Sequence, residues 1–111
     1  MNAHYTKILI DTFPAIFAQR FYFEVGDGWF ELIYDLCKKL ENTSRSPKAS
    51  QVKEKFGGLK FYVDDETPAQ TKLISTAEKA SYEICEKCGV PGDTKEETKV
   101  SWIKTRCKEH K

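Results

Sequence analysis

Histidine is scarce in this sequence, and neither sign of charge is in clear excess. Two histidines occur among 111 residues, and the formal net charge is +1. The near balance of charge excludes a global electrostatic attraction to DNA or to an anionic membrane, while a local basic patch stays compatible with it. The scarcity of histidine leaves few candidates for the general base that a hydrolase needs.

Long apolar runs are absent as well. No segment approaches the ~20 apolar residues that a membrane-spanning helix requires. The short apolar run near the N-terminus ends at Asp11, which is too early for a signal peptide. We therefore expect a cytoplasmic protein whose cysteines stay reduced, and this environment favours metal–thiolate bonds over disulfides.

The apolar residues that are present suffice for one modest core. Hydrophobic residues make up 40% of the chain and aromatic residues 13%, which excludes a disordered chain. We predict a single α+β domain over residues 1–111. Within it, residues 1–83 form the α+β core, and residues 84–111 form a zinc-binding segment that is integral to the domain.

The N-terminal part of the chain is predicted to be mainly helical. Pro14 interrupts an apolar helical pattern, so two short helices are expected on either side of Phe13. An extended segment follows at residues 21–25. Asp27 has the chemistry of an N-cap for an amphipathic helix over residues 28–41.

Residues 51–63 alternate between apolar and polar positions, as a β-hairpin does. Two adjacent glycines at positions 57 and 58 predict a two-residue turn with positive φ, which pairs Phe56 with Leu59. Glu54 interrupts the apolar face: it either reaches solvent or a helix N-terminus near the sheet edge, or it marks a functional position or a buried ion pair. The opposite face carries Lys53, Lys55, Lys60 and Tyr62.

A third helix is predicted to begin at a capping box. Thr67 and Gln70 have the required spacing, and Pro68 occupies the first helical position. The apolar stripe of this helix leads to Cys85, and Gly89 is expected to end the helix. The helix would therefore deliver the first metal ligands rigidly.

The last quarter of the chain carries two pairs of metal-ligand residues. Two residues separate Cys85 from Cys88, and two separate Cys107 from His110. Two chelating pairs are the ligand supply of a tetrahedral structural zinc, and four protein ligands favour a closed site over a catalytic one. Gly89 follows the first pair, where a knuckle favours a residue free to take positive φ. Reduced thiols or a disulfide are the alternatives.

The remaining cysteine and histidine do not form a catalytic constellation. Cys37 lies on the apolar side of the predicted second helix, which indicates a buried free thiol; a reactive cysteine is the alternative. His4 is most simply a surface residue. We therefore predict no enzymatic activity, since an enzyme would need an unrecognised cleft around Glu54 or Asp27.

Three groups of motifs stand in a specific order along the chain. They are FEVGDGWF at 23–30, VKEKFGGLKFYV at 52–63, and ICEKCGVPG at 84–92 with WIKTRCKEH at 102–110. With these motifs the chain resembles a family of small, mostly uncharacterised phage and prophage proteins, over roughly residues 13–110. The resemblance implies a phage accessory protein with the same zinc site, acting in the bacterial host cytoplasm. It carries no established activity.

The expected function is that of a noncatalytic, zinc-stabilised protein-binding module. It would inhibit or adapt a host protein, for example a component of bacterial defence. A nucleic-acid-binding zinc protein is the alternative, because lysines beside a stacking ring are typical of such surfaces, and a small enzyme is the second alternative. The expected partner surface comprises Lys53, Lys55, Lys60, Tyr62 and Glu54, with the loops around the zinc.

Overall fold

The computed structural model describes residues 1–90, 93–96 and 103–107. Within these residues, three α-helices combine with β-strands, which confirms the predicted α+β class. The helices are α1 (Ala3–Thr12), α2 (Phe30–Glu41) and α3 (Pro68–Ser81). The strands are β1 (Phe23–Glu24), β2 (Ala49–Lys55), β3 (Gly58–Val63), β4 (Asp93–Glu96) and β5 (Ile103–Arg106).

β1, β2 and β3 form a mixed sheet in that order. β1 runs parallel to β2, and β2 runs antiparallel to β3. Phe23, Val52 and Phe61 lie side by side across the three strands and are buried, so they define the inner face of the sheet. Because side chains alternate along a strand, the residues next to them define the outer face, namely Glu24, Lys53 and Lys60. β4 and β5 form a separate antiparallel pair.

The hairpin is confirmed, but its turn lies one residue earlier than predicted. Lys55 pairs with Gly58, and the turn residues Phe56 and Gly57 have φ values of 55° and 84°. Gly58 is needed in the strand instead, because a Cβ on Gly58 would lie 2.4 Å from the ring of Tyr82. The pairing therefore shifts by two residues, which leaves every strand side chain on its predicted face. Phe56 leaves the apolar face and is 63% exposed at the turn.

The N-terminal helices differ from the prediction in two places. α1 ends at Thr12 with Phe13 as its C-cap, and the next residues form a single turn, in which Ile16 and Phe17 donate their amides to the Phe13 carbonyl. The prediction of a second short helix is therefore wrong. Asp27 is not an N-cap either: its carboxylate accepts from the backbone and side-chain amides of Asn2, at 2.6 and 3.0 Å.

α3 begins as predicted and ends earlier than predicted. The side chains of Thr67 and Gln70 each accept from the other's backbone amide, at 3.2 and 3.1 Å, which confirms the capping box. The helix ends at Ser81, four residues before Cys85. After Ser81 the backbone tightens into short-range bonds, such as Ile84 N to Ser81 O at 3.3 Å. The cysteines are therefore reached through a turn rather than directly from the helix.

The hydrophobic core lies between the helices and the inner face of the sheet. Trp29 is its largest fully buried side chain, and its indole Nε1 donates to the carbonyl of Ile84 at 2.9 Å. This bond joins the core to the segment that carries the first cysteine pair. Other fully buried members include Phe13, Phe17, Phe23, Leu9 and Ile33.

Among the described helices, none has the length and hydropathy that a membrane crossing requires.

Candidate metal centre

The first cysteine pair lies on a tight knuckle that closes on itself. The amide of Gly89 donates to the carbonyl of Cys85 at 2.9 Å, and the amide of Cys85 donates to the carbonyl of Val90 at 2.8 Å. Gly89 has a φ of 83°, so the expected positive φ is confirmed. A residue with a Cβ would be strained in this conformation, which explains the glycine after the second cysteine.

Three sulfur atoms meet at the knuckle. The Sγ atoms of Cys85, Cys88 and Cys107 all lie within 4.8 Å of one another, and those of Cys88 and Cys107 are 3.6 Å apart. Tetrahedral zinc holds sulfur at about 2.3 Å, which separates two such ligands by a little under about 4 Å. The group therefore has the donor chemistry and the spacing to hold a metal ion such as zinc. The predicted fourth ligand, His110, lies outside the described residues.

The surroundings of the sulfurs favour one thiolate in the cluster and disfavour a second. Burial acts to raise the pKa of Cys85, but hydrogen bonds from the backbone amides of Cys107, Cys88 and Lys87 lower it to about 6. At Cys88 the amide of Val90 acts to lower the pKa, whereas desolvation and the neighbouring cysteines raise it overall. One thiolate thus hinders the formation of a second. A cation between the sulfurs would remove this repulsion.

A glycine-containing loop packs directly against the knuckle. The amide of Gly28 donates to the carbonyl of Glu86 at 2.7 Å, and the amide of Gly26 donates to its carboxylate at 3.1 Å. A Cβ on Gly28 would lie 2.1 Å from the carbonyl oxygen of Cys85, and one on Gly26 would lie 2.4 Å from that of Glu86. Only residues without a side chain permit this approach, which accounts for both glycines of the GDG motif.

On its other side, the knuckle contacts β5. The amide of Glu86 donates to the carbonyl of Thr105 at 3.1 Å, and the Glu86 carboxylate pairs with the Arg106 guanidinium at 2.6 Å. The buried hydroxyl of Thr105 donates to the carbonyl of Gly57 at 2.5 Å, in the turn of the hairpin. The GDG loop, the hairpin turn and the cysteine knuckle, which are far apart in sequence, therefore meet around one centre.

A cavity of about 380 Å³ adjoins the knuckle. Cys88 and Gly89 line it on one side, and Tyr5, Asp27 and Glu31 line it on another. Cys88 is exposed, whereas Cys85 and Cys107 are 0% and 8% exposed. Among the three sulfurs of the cluster, that of Cys88 is thus the one that a small molecule in solution reaches first.

The predicted partner residues do not all lie on one surface. Lys53, Lys60 and Tyr62 lie on the outer face, and Lys55 is exposed next to the turn. Lys60 Nζ pairs with Glu78 Oε2 at 2.7 Å, and this hydrogen bond raises the pKa of Lys60. Glu54 instead belongs to the inner face, where Oε2 accepts from the amide of Gly57 at 2.8 Å. Glu54 therefore closes the turn.

Cys37 lies apart from the three-cysteine cluster. It is fully buried and free of any disulfide, as its position on the apolar side of α2 predicts. Burial, and to a smaller extent the charge of Glu41, raises the pKa of Cys37 far above its ordinary value. The thiol is therefore neutral and shielded, and the prediction of a buried free thiol is confirmed.

Several residues at the centre carry no local sequence signal. Glu86 and Thr105 join the knuckle to the rest of the fold, but each resembles an ordinary polar residue when only its neighbours in sequence are considered. The one hint is the position of Glu86 between the two cysteines; Glu86 is buried there, whereas its neighbour Lys87 is exposed.

No protein-family model, curated protein or solved structure matches this chain.

Proposed function

We propose that this chain is a noncatalytic, zinc-stabilised protein-binding module. In this proposal Cys85, Cys88 and Cys107 bind one zinc ion, and His110 completes a closed tetrahedral site. The knuckle followed by the β4–β5 hairpin forms an arrangement like that of a zinc ribbon or treble clef. Support for a structural role comes from the backbone contacts that enclose the cluster on two sides.

The observation that carries the binding proposal is the position of the exposed aromatic side chains. Of the large hydrophobic residues exposed in the described part of the chain, Tyr22 is 75% exposed and Tyr62 is 44% exposed. Tyr62 pairs with Gln51, and Tyr22 precedes β1, which lies on the other side of β2. The row Tyr22–Gln51–Tyr62 thus crosses the outer face, and Phe56 is exposed at its hairpin end. Exposed tyrosines of this kind are enriched at protein interfaces.

The charges of the outer face favour a protein partner over nucleic acid. Lys60 is paired with Glu78, and the Glu24 carboxylate accepts from Gln51 at 3.1 Å on the same face. Glu24 therefore lies among the lysines of the outer face, and Glu78 of α3 neutralises Lys60. Both carboxylates reduce the attraction of this face for a phosphate backbone, whereas a protein surface of mixed charge would complement it.

Nucleic-acid binding remains the second candidate because of one local arrangement. Lys53 lies on the outer face next to the row of tyrosines, and no carboxylate of the described residues forms an ion pair with it. Aromatic rings beside a free lysine suit the stacking of unpaired bases. A strong loss of affinity with rising salt concentration would favour this candidate, because phosphate contacts release counterions.

The proposal extends to a biological setting through the motif resemblance alone. The order of the three motif groups supports a phage accessory protein that acts in the bacterial cytoplasm. We propose that it inhibits or adapts a host protein, such as a component of bacterial defence.

The test is an affinity capture from bacterial lysate with tagged protein, with and without nuclease. We expect a stoichiometric protein partner that survives nuclease, that is lost in the Tyr22→Ala/Tyr62→Ala variant, and that is kept in Lys39→Ala. Lys39 is an exposed residue of α2 and serves as the matched surface control. Partners that vanish with nuclease would support nucleic-acid binding instead, and a partner kept by the tyrosine variant would refute the assigned surface.

A further inference from the structure

Beyond metal binding, we propose that Cys88 and Cys107 are a peroxide-sensitive pair whose oxidation to a disulfide expels the metal ion. This inference rests on the proposed zinc site, and it assigns to that site a regulatory modification. It follows from three features of the described residues: the distance between the two sulfurs, their unequal exposure, and the contacts that connect them to the hairpin turn.

The distance between the two sulfurs permits a disulfide. The Sγ atoms of Cys88 and Cys107 are 3.6 Å apart, whereas a disulfide requires about 2.05 Å. A movement of the sulfurs by about 1.5 Å closes this gap, and rotation about the side-chain bonds of the exposed Cys88 supplies movement of that size. Cys85 is held differently, because backbone amides on several sides hydrogen-bond to its sulfur.

The sulfur of Cys88 is the first to react, because it is the exposed one. Cys88 is exposed and lines the cavity of about 380 Å³ beside the knuckle, which is ample space for a peroxide molecule. Cys107 is 8% exposed and Cys85 is 0% exposed, so both are shielded from direct attack. The arrangement is therefore that of an accessible attacking cysteine with a buried resolving cysteine next to it.

The chemistry balances with hydrogen peroxide as the oxidant. The Cys88 thiolate attacks one peroxide oxygen, the O–O bond breaks, and hydroxide leaves, so that Cys88 becomes a sulfenic acid. The Cys107 thiolate then attacks the Cys88 sulfur, an S–S bond forms, the S–O bond of the sulfenic acid breaks, and a second hydroxide leaves. Two electrons pass from the two sulfurs to one peroxide. A metal ion held by the cluster would lose two thiolate ligands and would dissociate, because a disulfide sulfur is a poor ligand.

Oxidation would also affect the hairpin turn at the end of the proposed binding face. Cys107 follows Thr105 by two residues, and the Thr105 hydroxyl donates to the carbonyl of Gly57 in the hairpin turn. Loss of the metal would weaken this hydrogen bond and increase the mobility of the turn that contains the exposed Phe56. We therefore expect faster amide hydrogen exchange at residues 55–58 in the oxidised protein.

The experiment treats the zinc-loaded full chain with hydrogen peroxide and follows four readouts. They are zinc release to a chromogenic chelator, the number of free thiols, the disulfide map after alkylation and trypsin digestion, and amide hydrogen exchange at residues 55–58. Trypsin places the cysteines in separate peptides, at 80–87, 88–95 and 107–108 for the cluster and 21–38 for Cys37. The Cys37→Ser variant is the control, since it removes the thiol outside the cluster.

We expect free thiols to fall from the four of the sequence by two for each zinc ion released. Peptide 88–95 should be linked to peptide 107–108, and a thiol reductant should restore both thiols and zinc binding. Zinc that stays bound, a link through peptide 80–87, zinc release with no link, or unchanged exchange at residues 55–58 would each contradict the inference. A chain that takes up no zinc before peroxide is added would instead refute the proposed metal site itself.

Discussion

The hydrophobic core and the cysteine knuckle are stabilised by different means. The core consists of large apolar side chains that are almost fully buried, such as Trp29 and Ile33, and its stability follows from the apolar area removed from water. Around the knuckle the contacts are backbone amides, two glycines without a Cβ, the Glu86–Arg106 ion pair and three sulfur atoms. The knuckle therefore depends on close backbone approach and, in the proposed function, on a bound metal ion, whereas the core depends on neither.

The largest expected effect concerns a metal ligand. Cys85→Ser should abolish stoichiometric zinc binding, and with it the stabilisation that zinc confers, about 4 kcal/mol when free zinc is 1,000-fold above its Kd. Denaturant unfolding with zinc and with chelator measures this difference. Cys37→Ser is the control and should keep its zinc. If Cys85→Ser binds zinc as well as the wild-type chain, the knuckle is no metal centre.

A core substitution should show the opposite pattern. Ile33 is fully buried on α2, so Ile33→Ala leaves a cavity and should cost about 3 kcal/mol. Because Ile33 is not part of the knuckle, this cost should be the same with zinc and with chelator. Denaturant unfolding of Ile33→Ala with zinc and with chelator measures both costs. A cost that appears only in the presence of zinc would contradict the separation of core and knuckle.

Gly28 tests whether close backbone approach supports the knuckle. An added methyl group would lie 2.1 Å from the carbonyl oxygen of Cys85 and 2.7 Å from the amide nitrogen of Cys88. Gly28→Ala should therefore force the loop and the knuckle apart, at a cost of about 2 kcal/mol. It should also weaken zinc binding in a competition titration against a chelating dye. Ile33→Ala serves as the comparison and should leave the zinc affinity unchanged.

The smallest of these effects is expected at Thr105. Thr105→Val keeps the shape of the side chain and removes the hydroxyl that donates to Gly57 in the hairpin turn. Loss of this buried hydrogen bond should cost about 1–2 kcal/mol. Thr76→Val removes a hydroxyl bonded to Lys72 on the exposed surface of α3, and should change stability by less than about 0.5 kcal/mol. Equal losses of stability in the two variants would show that Thr105 does not connect the knuckle to the hairpin.

Features of the fold that depend on nearby residues were predictable from the sequence. The capping box at Thr67 and the two faces of the hairpin follow from spacings of a few residues. The first cysteine pair and the positive φ of Gly89 are equally local, since both lie within five consecutive residues. Such patterns constrain the structure before any tertiary contact is known.

The predictions that failed depend on residues far apart in the chain. Asp27 has N-cap chemistry, but Asn2 occupies its carboxylate, and Glu86 accepts the amide of Gly28. The hairpin turn moved because Gly58 packs beneath the ring of Tyr82. α3 stops at Ser81, whose hydroxyl accepts the amide of Leu59 at 2.8 Å. None of these partners is visible in a short sequence window, so local propensity pointed to the wrong residue.

The central claim is that the knuckle holds a zinc ion by three sulfur ligands and one histidine. X-ray absorption at the zinc edge of the purified, zinc-loaded chain tests it most directly. We predict one zinc ion per chain with three sulfur atoms at about 2.3 Å and one nitrogen atom at about 2.0 Å. A first shell made of oxygen or nitrogen atoms alone, or a chain that binds no zinc, would contradict the claim.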